Sequence, residues 1–150
     1  MSITHIAKAT TVIHEPIETV WKALLDPDMN AKFMMGARVI TDWKEGSSII
    51  WKGEWQGKPY EDRGTVIAVR EPDMLKYTHN SGSGDNPGQQ HTVVIELKEV
   101  AGITHVRVTQ DNNADAEACA KSQKNWNTML DAFKKAMGEA PVDKPDEMRV

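Results

Sequence analysis

The apolar positions change period twice along the chain. From Ile3 to Ile13, Thr, Ile and Val dominate, which predicts a first strand. In "EPIETVWKALLD", Ile17, Val20, Trp21 and Leu24 fall at i, i+3, i+4 and i+7, the repeat of one helix face. Pro16 suits the start of that helix and Asp26-Pro27 its end. Met29 and Phe33, four apart, predict a second short helix. From Gly36 to Asn112 the pattern is that of strands, at Ala37–Trp43, Ser48–Trp55, Pro59–Arg70, Met74–Asn80, His91–Glu99 and Ile103–Asp111. The intervening "KEGS", "QGKP", "REPD", "NSGSGDNPG" and "VAGI" carry turn residues, and links this short imply antiparallel neighbours. A long helix follows from about Ala114 to Met137, with an apolar line through Cys119, Trp126, Met129, Leu130, Phe133 and Met137. Asn112 or Asn113 is expected to cap it. At about 1.5 Å per residue it would cross a whole sheet.

Composition narrows the function classes. A chain of 150 residues fits one domain, placed at 1–138, with a flexible tail at 139–150 in "EAPVDKPDEMRV". The net charge of −4, without a basic run, argues against nucleic acid as the partner. Apolar runs are too short for a membrane span, and the N-terminus lacks a signal-peptide pattern. The single cysteine, Cys119, fits a reducing compartment, so a cytoplasmic location is expected. The elements together predict an α+β fold: a curved antiparallel sheet of about seven strands gripping the long C-terminal helix, with two short helices after the first strand.

The segments "PIETVWKALLDPD", "GARVITDWKEGSSIIWKGEWQGKPYEDRGTVIAV", "PDMLKYTH" and "HTVVIELKE…THVRVTQDNN…KNWNTMLDAFKK" closely resemble the heat-shock protein 90 ATPase activator homologue-like family. That family lies within the START-like, birch-pollen-allergen-like helix-grip superfamily. The resemblance runs from about Thr11 to Lys135. It implies a helix-grip fold with a cavity between sheet and helix, and it raises a chaperone as a protein partner. Because the superfamily carries many unrelated activities, it does not fix a reaction.

Turn symmetry gives an expected register. A symmetric "NSGSGDNPG" link sets His79 opposite His91, Tyr77 opposite Val93 and Leu75 opposite Ile95. Continuing through "VAGI" sets His91 opposite Gln110, Val93 opposite Val108 and Ile95 opposite Val106. His79, His91 and Gln110 then share the core face, and Ile67, Thr65, Arg63 and Trp51 are expected to approach it. Trp51, Gly53 and Trp55 share one side of their strand, Lys52 and Glu54 the other. The expected ligand-binding set is therefore Trp51, Trp55, Arg63, Tyr77, His79, His91, Gln110, Trp126, Met129, Leu130 and Phe133. An apolar pocket with a few convergent polar groups suits a small hydrophobic or amphipathic ligand. Two facing histidines fall short of the three or four ligands zinc needs, so no metal and no cofactor is assigned. There is no GxSxG and no paired Cys/His motif for nucleophilic catalysis. A small cyclase- or hydrolase-like enzyme, with acid–base work by a pocket histidine and Asp42, Glu61 or Arg63, is one alternative, and a protein-interaction module is the other; ligand binding without catalysis is the leading reading.

Overall fold

The computed structural model describes residues 5–34, 36–80 and 90–138. The expected tail at 139–150 and most of "NSGSGDNPG" lie outside the described residues. Strand β1 (His5–Ile13) leads into α1 (Ile17–Leu25) and α2 (Pro27–Phe33). Then come β2 (Arg38–Ile40), β3 (Ser48–Trp55), β4 (Lys58–Arg70), β5 (Met74–Asn80), β6 (Gln90–Val100), β7 (Ile103–Asn113) and the long helix α3 (Ala116–Ala136). The seven strands form one antiparallel sheet in the order β1-β7-β6-β5-β4-β3-β2. This is the helix-grip arrangement. No helix among the described residues is long and apolar enough to cross a membrane.

Local chemistry explains the breaks. Asp26 ends α1 and caps α2, its carboxylate accepting from Met29 N–H at 2.9 Å, while Pro27 occupies the first turn where no N–H is needed. Pro16 offers α1 no side-chain cap, and Glu99 from β6 accepts from the Ile17 N–H at 2.7 Å instead. The buried Asn30 side chain donates to the carbonyls of Leu24 and Asp26 and so joins the two short helices. Helix α3 is capped by Asp115, which accepts from Ala118 N–H at 2.8 Å, not by Asn112 or Asn113. Asn112 instead takes a left-handed φ of 58° in β7, and Asn113 is buried and bonded to His5 and Gln110.

The core lies between the concave face of the sheet and the helices. Ile13, Val20, Ile49, Val66, Leu75, Val93, Val106 and Phe133 are fully buried in one cluster, and Phe33 meets Phe133 edge to face at 5.1 Å. Helix α3 lies along β1 and β7, and α2 bridges from α3 to β2. Among the described residues no helix backbone packs closely on β3, β4 or β5. The concave face of those three strands is therefore walled by side chains.

Two register details differ from expectation. Ala101 and Gly102, with φ of 53° and 80°, close a two-residue turn that pairs Val100 with Ile103. That places Val93 opposite Gln110, Ile95 opposite Val108 and Leu97 opposite Val106, two residues from the expected register. An even shift keeps every side chain on its face, so Gln110 still points inward. In β4 a bulge between Val66 and Ala68 shifts the ladder by one, which reverses the faces before it.

Candidate functional site

The bulge decides which charged residues enter the site. Asp62 sits opposite Trp51 and Tyr60 opposite Gly53, so both share the concave face with Trp51. Arg63 lies opposite Ile50 on the outer face, exposed, where its guanidinium pairs with Glu61. Thr65 and Ile67 are likewise exposed. The expectation that Arg63, Thr65 and Ile67 approach the core face is therefore corrected: the extra bulge residue turns all three outward. Asp62 takes the place expected of Arg63.

What assembles on the concave face is a row of rings. Tyr77 lies between Trp43 and Trp51, with ring centroids 6.4 and 5.6 Å away. Trp51 meets His79 edge to face at 5.0 Å, and His79 stacks on His91 at 6.3 Å. The facing pairs Tyr77/Val93 and His79/His91 hold this order in place. Gly64 makes room for it: a Cβ there would collide with the Thr78 backbone carbonyl and press on the Trp51 ring. Trp43 adopts a left-handed φ of 59° before β3 and donates its indole N–H to the Leu25 carbonyl at 3.1 Å. Expecting Trp43 at a strand end missed this turn, and only the turn residues of "KEGS" hinted that the strand stops early.

The polar groups in the row differ in what they have left to offer. His79 Nε2 is 2.9 Å from Asp62 Oδ2, and His91 Nδ1 is 2.9 Å from the Asp111 carbonyl. Gln110 is committed: its oxygen accepts from Trp126 Nε1 at 2.7 Å, and its amide nitrogen donates to Asn113 and Ser122. The Trp51 indole N–H is buried with no hydrogen-bond partner among the described residues. Burial pushes the Tyr77 phenol above its ordinary value, and burial followed by the Asp62 charge does the same to Tyr60. Asp42 stands apart. The Ser47 hydroxyl, then the Lys44 N–H, hold its exposed carboxyl below the ordinary carboxylate value, and neither histidine contacts it.

The remaining expected residues are distributed around this row. Trp126, Leu130 and Phe133 are buried on α3 in the same core cluster, with Met129 half-buried at its edge. Trp55 ends β3, paired with Lys58. No group of three or more His, Cys, Asp or Glu side chains among the described residues is placed to hold a metal ion. A separate groove of about 540 Å³ runs over the outer face of the sheet, lined by Arg70, Asp73, Glu96, Lys98, His105 and Arg107 among others. Glu96 and Arg107 pair across it at 2.7 Å. Its charged lining is unlike that of the ring row.

Comparison with known proteins now bears on this geometry. The family model described as Activator of Hsp90 ATPase homolog 1-like protein matches residues 14–138. The chain belongs to that family. A member-like relative of known structure is ChR145 from Cytophaga hutchinsonii, 42% identical over 100% of both chains with a TM-score of 0.78. More distant likenesses show the fold alone. CalU16 from Micromonospora echinospora is 16% identical, covering 99% of this chain and 90% of its own, at a TM-score of 0.68. Ara h 8.0201 is 12% identical, covering 91% and 100%, at 0.72. Among functionally curated proteins none matches. For this Activator of Hsp90 ATPase homolog 1-like chain, the fold is thus the START-like, birch-pollen-allergen-like one, and the site has to be argued from its own residues.

Proposed function

We propose that the protein binds a small, largely apolar molecule carrying a hydrogen-bond acceptor, on the concave face of β3–β6 beside α3. The observation that carries this reading is the Trp51 indole N–H, buried within the ring row and unpartnered among the described residues. An unpaired buried donor costs about 1–3 kcal/mol, so a ligand that supplies the acceptor recovers that energy on binding. Trp43, Tyr77 and the edge of α3 at Met129 supply apolar surface, and the helices leave β3–β5 without a close backbone cover. The site's polar complement is Trp51, His79 with its partner Asp62, and His91; Arg63, on the outer face, has no part in it. The lone Cys119 fits a cytoplasmic protein.

Native mass spectrometry of the purified protein, followed by titration with the fluorophore 8-anilinonaphthalene-1-sulfonate, tests this. The reading expects a copurified mass or saturable binding at one site, weakened at least fivefold in Trp51→Phe. Unchanged affinity in that variant would contradict it. The family description supports a second reading, a chaperone partner, which a clean apo mass together with specific capture of Hsp90 would favour.

A further inference from the structure

The two histidines of the ring row are held in defined tautomers. A carboxylate only accepts hydrogen bonds, so with neutral imidazole the proton facing Asp62 sits on His79 Nε2 and leaves the lone pair on Nδ1. A backbone carbonyl also only accepts, so His91 carries its proton on Nδ1 and its lone pair on Nε2. Neither lone-pair nitrogen has a partner among the described residues, and no serine, threonine or cysteine there bonds to His79. The Trp51 ring meets the His79 ring edge to face with centroids 5.0 Å apart, and its buried indole N–H has no acceptor among the described residues.

The geometry points to a proton-transfer site for a carbonyl compound, with His79 Nδ1 as the base and Trp51 Nε1–H as the donor to the oxygen that becomes charged. The inference rests on the ligand-site reading and adds a reaction to it. In the forward step a C–H bond next to the carbonyl breaks. Its proton goes to His79 Nδ1, its electron pair forms the enolate C=C bond, and the carbonyl π pair moves onto oxygen. Asp62 stabilises the imidazolium, and Trp51 stabilises the enolate oxygen. Returning the proton to the same carbon regenerates the ketone; where a C=C bond lies next to that carbon, returning it to the far end of the dienolate instead isomerises the unsaturated ketone. Both need no oxidant, metal or co-reactant. The His79 side chain keeps 29% exposure, enough for its proton to exchange with solvent. With no nucleophile among the described residues bonded to either imidazole, direct proton abstraction is the chemistry this arrangement fits.

The experiment follows deuterium uptake at the acidic CH₂ of 2-tetralone in D₂O by proton NMR, with the full chain and millimolar ketone. Exchange should exceed that with the same concentration of free imidazole by at least tenfold. It should fall to the free-imidazole level in His79→Gln and remain unchanged in His105→Gln, which alters an exposed outer-face histidine. Asp62→Asn, a change at a positioning residue, should lower the saturating rate at least tenfold while leaving the half-saturating concentration within twofold. Thermal melting confirms that each variant is folded. Wild-type exchange at the imidazole level overturns the inference, as does an equal loss in the two histidine variants. Quenching of tryptophan fluorescence by the ketone in the same samples shows separately whether the ligand-site reading survives.

Discussion

Trp126 on α3 donates its indole N–H to the Gln110 side-chain oxygen on β7 at 2.7 Å, and the same amide reaches Asn113 and Ser122. This network ties the long helix to the sheet next to the ring row. Gln110→Leu would strand the Trp126 donor in the core and remove two further bonds. The expected cost is about 1–3 kcal/mol in urea unfolding, set mainly by the unsatisfied indole.

A second prediction concerns the floor of the row. Gly64 lets β4 approach Thr78 of β5 while Trp51 lies across it. Neither the backbone carbonyl nor the packed ring can give way cheaply. Gly64→Ala is expected to cost about 3 kcal/mol, the upper end for overpacking, and to perturb the Trp51 fluorescence as well.

The fold was largely legible in the sequence because its turns and periods agree. The facing pairs His79/His91, Tyr77/Val93 and Leu75/Ile95 occur as turn symmetry expects. β3 and β5 keep their expected bounds. The site was less legible, for local reasons. A single bulge residue exchanges Arg63 for Asp62 on the concave face, and no composition signal marks it. Trp43 enters through a left-handed turn that tryptophan rarely adopts. The "VAGI" slip was harmless to face assignment because it was even, so Gln110 kept its inward aim.

Alkaline pH supplies a third prediction. Tyr77 ionises near 10.0 when unfolded, and burial raises it in the folded protein. Above that pH the unfolded chain loses the proton first and binds fewer protons than the native state. Stability from Tyr77 is therefore full below pH 10.0 and declines as pH rises towards the folded value. The decline is at most about 1.4 kcal/mol per pH unit from this residue. Urea unfolding across pH 9–11 should show a shallower decline in Tyr77→Phe than in the native chain (the phenol being its source).

At the other end of α3, Lys134 is buried and donates to the Val12 carbonyl of β1 at 2.7 Å. Lys134→Met keeps most of the packing volume but gives up that charge-assisted bond and a favourable charge in the last helical turn. A loss of about 1–2 kcal/mol is expected. Lys135→Met, its exposed neighbour, should change stability by less than about 0.5 kcal/mol.

The central claim, that the ring row around Trp51 receives a ligand, is tested most directly by the five tryptophan indole N–H signals in a nitrogen–proton NMR spectrum. Without ligand, the unpartnered Trp51 proton should resonate upfield of the hydrogen-bonded Trp43 and Trp126 protons. On titration with 8-anilinonaphthalene-1-sulfonate it should move downfield and saturate, while Trp21, buried on α1, stays in place. A Trp51 signal that remains fixed while the fluorophore binds elsewhere would contradict the account.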